Sequence, residues 1–226
     1  MNGAGRGFAA ILNGLRYLAG RKGLLAGTPT QAMGYARVGP GDGPADIELF
    51  AGPLTYAFRE INGRVAAVVD RRPGLSLSFY QCRPESRGHV HLAADGHVDL
   101  SCGFLTQEND RAIVTAGLRY CRAMVRQSPL AEFIVGENMP GPEVDNDDAS
   151  LLEWARRAGG TGFHIVGSCR MGNDERSVVD LGLKVRGARR LRVVDASVMP
   201  ALVGANTHAP TVMIAERAAD IIRRRS

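Results

Sequence analysis

Gly162-Phe163-His164-Ile165-Val166-Gly167-Ser168-Cys169-Arg170-Met171-Gly172 opens the stretch whose reading decides the fold of this chain. Three more blocks follow it: Val178-Val179-Asp180, Leu191-Arg192-Val193-Val194-Asp195-Ala196-Ser197-Val198-Met199-Pro200, and Asn206-Thr207-His208-Ala209-Pro210-Thr211. A histidine flanked by glycines belongs to a turn that lets a titratable ring approach a ligand closely. The β-branched run Leu191 to Asp195 has the pattern of a strand buried in a parallel sheet. The polar cluster at 206–211 heads a helix, where unpaired N–H groups and the dipole attract negative charge. Residues 162–222 are therefore expected to position a ligand.

Composition bounds what that ligand-binding region belongs to. The chain has 226 residues, 45% of them hydrophobic, which suffices for one large domain or two small ones. Twenty-eight glycines and 11 prolines make it turn-rich, and a mean hydropathy of −0.10 excludes both disorder and a membrane-embedded class. No apolar run approaches the roughly 20 residues that span a bilayer, and the segment from Met1 to Gly7 lacks the apolar core of a secretory leader. Cys82, Cys102, Cys121 and Cys169 stand too far apart for CxxC metal or redox pairs. They are expected to be reduced and mostly buried, as in a cytoplasmic protein. The net charge of +5 comes from scattered arginines, apart from Arg223-Arg224-Arg225. That tail suits a solvated helix end better than a nucleic-acid surface.

Apolar periodicity predicts a helix over residues 7–19, carried by Phe8, Ile11, Leu12, Leu15 and Leu18. The glycines at Gly3, Gly5 and Gly7 do not form a dinucleotide fingerprint: no strand precedes them, and Phe8 stands where the third glycine belongs. Residues 28–53 are expected to be loop, with a short alternating strand at Ile47-Glu48-Leu49-Phe50. Val65 to Val69 and Leu75 to Tyr80 are strand candidates, and Pro84-Glu85-Ser86-Arg87-Gly88 turns into a strand at His89-Val90-His91-Leu92. His89, His91 and His97 tempt a metal reading, but no carboxylate stands at a ligand spacing, so they are taken as solvated or substrate-lobe residues and no metal is expected. Helices are predicted over 107–127 and after Asp147-Asp148, the latter capped by those carboxylates and carrying Trp154 as a packing residue. A small ribbon at 178–185 and a final helix from Thr211 to Arg225 complete the chain, the helix with Met213, Ile214, Ala218, Ile221 and Ile222 inward.

In their order and spacing, the blocks after Gly162 resemble the C-terminal signature of the glucose-methanol-choline (GMC) oxidoreductases, FAD enzymes that oxidise alcohols. Pro84 to Val90 resembles that family's "PxSRGxV" block, and His164 to Gly172 its "HxxGTxxMG" block, with Ile165 for the commoner Pro and Ser168 for Thr. The resemblance implies an α+β fold, with a substrate-binding sheet and flanking helices over 1–160. The C-terminal closing lobe of an FAD-binding α/β domain would occupy 161–226 and carry the active-site residues. It implies hydride transfer from an alcohol carbon to the flavin N5 while a histidine takes the hydroxyl proton. His164 matches that base, and Asn206 matches the second catalytic position by its distance ahead of Asp220. His208, two residues on, is the competing candidate for the pair. Asp195 and Ala196 match the "VDAS" segment that lies against FAD, and Asn206, Thr207, Pro210 and Thr211 match residues near the flavin ring. The nearest likeness is to choline dehydrogenase-like members, which implies a primary alcohol.

The family's N-terminal Rossmann unit, with its GxGxxG, is not found in this sequence. Two readings follow. The chain is the C-terminal part of such an oxidoreductase, inactive without an FAD-binding Rossmann half as partner; or it is a non-catalytic remnant or interaction module that keeps the lobe fold and binds no flavin alone. A serine hydrolase is excluded because no GxSxG elbow occurs, and P-loop and HExxH motifs are absent as well.

Overall fold

A computed structural model of the chain describes residues 3, 6–61 and 64–224. The fold is α+β. It divides into two compact units. The first comprises the residues up to Ala36 together with Ile47–Tyr80, and the second Arg37–Asp46 together with Gln81 onward. The glycine run at 3–7 and the arginine tail at 223–225 fall partly on residues 4, 5 and 225, which lie outside the described residues.

In the first unit, helix α1 spans Gly7–Gly20 and ends on Arg21, whose left-handed backbone returns an N–H to the Tyr17 carbonyl. Its predicted apolar stripe exists, yet Phe8, Ile11, Leu15 and Leu18 are all exposed. Strands β1 (Ala32–Ala36), β2 (Ile47–Gly52) and β5 (Ser76–Gln81) form a three-stranded sheet in the order β1-β2-β5, while β3 (Tyr56–Ile61) and β4 (Arg64–Val69) pair as an antiparallel ribbon. Two expectations are corrected here. Part of the supposed 28–53 loop is β1, paired antiparallel with β2. The strand at 47–50 does not alternate in burial, because β2 is the central strand and Ile47, Glu48 and Leu49 are all buried. Glu48 tolerates burial because its carboxylate accepts a hydrogen bond from the Tyr80 hydroxyl.

The second unit holds β6 (His89–Leu92) and β7 (Val98–Ser101), an antiparallel ribbon, and helices α2 (Glu108–Val125), α3 (Asp148–Ala158) and α4 (His208–Arg223). Asp147 caps α3 as expected, accepting from the Ser150 N–H at 3.0 Å. Arg122 of α2 is fixed by the Glu137 carboxylate and by the Gly141 and Val144 carbonyls, which anchors the irregular segment between α2 and α3. Asp110, in the first turn of α2 and almost wholly buried, accepts from the Glu85 and Ser86 N–H groups at 2.9 and 2.7 Å. The Ser-Arg-Gly turn is thereby tied to α2. Its glycine is needed because the chain returns at contact distance: a Cβ on Gly88 would stand 1.9 Å from the Ser101 carbonyl oxygen.

The core beneath α4 is Val179, Leu183, Val198, Met199, Ile214 and Ala218. The final helix begins three residues before the expected Thr211, since Pro210 fits its first turn. Met213 and Ile222 do not face inward but are exposed. The run Leu191 to Asp195 forms no strand; a single bridge joins Arg192 to Lys184, and Val179 bridges Met171 and Val185. Its β-branched side chains are still used, for Val193 and Val194 pack half-buried against the core. All four cysteines are free, but only Cys82 is fully buried. Burial pushes the Cys121 thiol up to about 11.

Leu151 is completely buried on the inner face of α3. Leu151→Ala is expected to lower the unfolding free energy by about 3 kcal/mol, read from the denaturant midpoint at unchanged slope.

Candidate active site

The His164 turn is built from strained and permissive backbone. Phe163 has φ +62 with its N–H bonded to the Thr161 hydroxyl, and Gly167 takes φ +93, a conformation that glycine adopts without penalty. Beyond the histidine, the N–H groups of Gly167 and Cys169 both donate to the Ser197 carbonyl, at 3.1 and 3.0 Å, and Met171 donates to Val198 at 2.8 Å. Ser197 is itself held in a short 3-10 turn, Ala196–Val198, whose cap is Asp195: one carboxylate oxygen accepts from the Ser197 N–H at 2.8 Å and from its hydroxyl. The histidine block and the Val-Asp-Ala-Ser block are thus one hydrogen-bonded piece.

The third block closes on the same piece. His164 Nδ1 lies 2.9 Å from the Thr207 Oγ1, and the Thr207 N–H points at the same nitrogen from 3.4 Å. Thr207 is buried and starts α4; its carbonyl accepts from both the N–H and the hydroxyl of Thr211. With the proton on Nδ1, the Thr207 hydroxyl accepts and Nε2 carries the lone pair of a base. With the proton on Nε2, the Thr207 N–H and hydroxyl donate to Nδ1 instead. Thr207 therefore partners either tautomer and fixes the ring's orientation through both.

Each residue singled out from the sequence has a definite place. His164 is half-buried; Asn206 and His208 are exposed on either side of Thr207. Ala196 is half-buried against the core, and Pro210 and Thr211 are half-buried in the first turn of α4. Asp195 is exposed and serves as the cap of its turn. The sequence marked Thr207 only through its match to residues near the flavin ring, and its contact with His164 was not foreseen. The N terminus of α4 has no side-chain cap and no acidic residue in its first turn, so its positive end is not neutralised from within the helix. That end, beside the imidazole held by Thr207, favours negative charge placed next to it.

In the same block, Arg170 makes a two-pronged pair with Asp174, at 2.9 and 2.5 Å, and this hydrogen bonding draws the Asp174 carboxyl down to about 2. Arg186 adds a bond to the Gly172 carbonyl at 2.8 Å.

The sequence model of a family described as GMC oxidoreductase matches residues 84–215. An alcohol dehydrogenase (acceptor) of Pseudomonas putida is 37% identical over 228 residues, covering 98% of this chain and 40% of that protein. An oxygen-dependent choline dehydrogenase of Staphylococcus xylosus is 34% identical over 216 residues, covering 93% and 37%. Among solved structures, pyridoxine 4-oxidase from Mesorbium loti superposes with a TM-score of 0.67 at 27% identity, over 85% of this chain and 37% of that one. A formate oxidase of Aspergillus oryzae RIB40, studied for its FAD modification, shares the fold with a TM-score of 0.80 at 19% identity, over 97% and 42%. The chain belongs to the GMC oxidoreductase family, and it spans about two fifths of the length of the curated relatives it matches.

Two outcomes are expected from this geometry. Thr207→Val removes the hydroxyl contact to His164 and should cost about 1 kcal/mol of stability, while altering the ¹⁵N shifts of the His164 ring; Thr207→Ser should keep both near native. The Asp174 carboxyl is held below its ordinary 3.8, so the stability it contributes is complete above that pH and is lost as the pH falls towards about 2. An acid-unfolding series should show that loss, and Asp174→Asn should remove it.

Proposed function

We propose that this chain is the C-terminal part of an FAD-dependent oxidoreductase acting on the CH–OH group of an alcohol. Residues 161–226 are its active-site lobe, and residues 1–160 its substrate-binding portion. The observation that carries this reading is the contact of His164 with Thr207 at the start of α4, which joins the two blocks that matter for chemistry across 43 positions of sequence. When bound, FAD supplies the hydride acceptor.

His164 is the general base, taking the hydroxyl proton at Nε2 while Nδ1 stays on Thr207. Asn206, beside that threonine, hydrogen-bonds the substrate oxygen, and His208 borders the same helix start. Asp195, Ala196, Asn206, Thr207, Pro210 and Thr211 form the cofactor-facing surface. The dipole of α4 favours negative charge developing next to it. A primary alcohol of the choline type is the substrate class that the relatives' names support. An N-terminal FAD-binding Rossmann half is the partner required, and the cytoplasm the expected location. No helix among the described residues is long and apolar enough to cross a membrane.

Reconstitution tests the proposal. The chain is joined to the N-terminal part of the Pseudomonas putida relative, loaded with FAD and assayed by alcohol-dependent dye reduction. His164→Ala should lower kcat/KM by about 10²- to 10⁴-fold with the flavin absorbance retained. Equal turnover by the variant would remove His164 from the mechanism. A tight FAD complex of the isolated chain would instead rule out the view that it binds no flavin alone.

A further inference from the structure

The β6–β7 ribbon carries a cluster that the oxidoreductase reading does not use. Side chains two apart on a strand share a face, so His89 and His91 project together. The antiparallel register sets Asp99 of β7 directly opposite His91. The two imidazoles stack, with centroids 4.5 Å apart and planes inclined by 28°. His89 Nε2 stands 3.2 Å from an Asp99 carboxylate oxygen. One ligand atom from each of the three residues lies within 4.8 Å of the others, and all three side chains are exposed. The carboxylate that the local sequence does not offer beside the histidines is brought to them by strand pairing.

We propose that His89, His91 and Asp99 form a binding site for one divalent transition cation of the Zn(II), Cu(II) or Ni(II) class, with water completing its coordination. Bonds of about 2.0–2.2 Å from a zinc-like ion to nitrogen and oxygen put neighbouring ligand atoms about 3.3 Å apart in a tetrahedral shell. The His89–Asp99 pair already stands at that separation. The third ligand closes by side-chain rotation of His91, which solvent exposure permits. Two imidazoles with one carboxylate select a borderline cation over Mg(II) or Ca(II), which take oxygen shells. An ordinary surface ion pair accounts for His89 and Asp99 but gives no role to His91 stacked on the first ring. His97 and Asp95, in the turn of the same ribbon, stand 3.6 Å apart and lie outside the cluster.

The test uses the full chain, stripped of metal with a chelator and titrated calorimetrically with ZnCl₂, CuCl₂ and NiCl₂, with MgCl₂ as the hard-cation control. One site of micromolar or tighter affinity is expected for the first three and none for magnesium. His91→Ala and the near-isosteric Asp99→Asn should each weaken zinc at least about 10-fold, with His97→Ala unchanged and far-UV circular dichroism native throughout. No zinc uptake by the native chain would overturn the proposal. So would native affinity in the His89→Ala/His91→Ala double variant, which would assign the metal to the cysteines or elsewhere.

Discussion

Thr207 links His164 to the start of α4, and the geometry of the C-terminal lobe depends on that link. Its hydroxyl and its N–H face the same nitrogen of His164, and its carbonyl opens the hydrogen-bond ladder of α4. A helix start is rigid once its first carbonyls are engaged, so a turn fastened to it inherits that rigidity. The Ser197 carbonyl adds a second fastening by accepting from both Gly167 and Cys169. An imidazole in a glycine-rich turn would otherwise sample many orientations. Here the two contacts from Thr207 to Nδ1 limit the orientations its ring can take.

The same economy recurs wherever the chain is irregular. Much of the second unit lies between its helices and its β6–β7 ribbon, so many backbone N–H groups need other acceptors, and aspartates supply several. Asp46 accepts from Val38 and Gly39, Asp110 from Glu85 and Ser86, Asp180 from Gly182 and Lys184, and Asp195 from Ser197. Backbone donation favours the ionised carboxylate, which is why the Asp180 carboxyl lies below its ordinary range, with the Lys184 N–H as the leading cause. Among the described residues no buried side-chain nitrogen or oxygen is left without a partner. A turn-rich composition is thus compatible with an ordered lobe because its acidic residues act as caps.

Family membership and chemistry are separate matters for this chain. The family match over residues 84–215 and the 37% identity to the Pseudomonas putida relative settle the first. The second rests on local geometry: an imidazole whose Nδ1 is held by Thr207, beside an uncapped helix start. Asp195 illustrates the distinction. It falls in a block the family resemblance assigns to cofactor contact, and within this chain its carboxylate stabilises the turn that bonds to the histidine segment.

The sequence by itself determined the family and the helices. Helical periodicity and caps are local, so α1, α2 and α3 could be drawn from residues three and four apart, and the Asp147 cap from its position alone. Strand pairing is not local, and there the sequence fell short. β1 was indistinguishable from loop, β2 proved central with both neighbours of Glu48 buried, and the valine run before Asp195 packs against the core without joining a sheet. Tertiary structure alone decided that Thr207 meets the Nδ1 of His164, and that Asp99 comes to face His91. Both are contacts between residues distant in the chain or across a ribbon's register, and no pattern of spacing encodes which atoms meet once the backbone has folded.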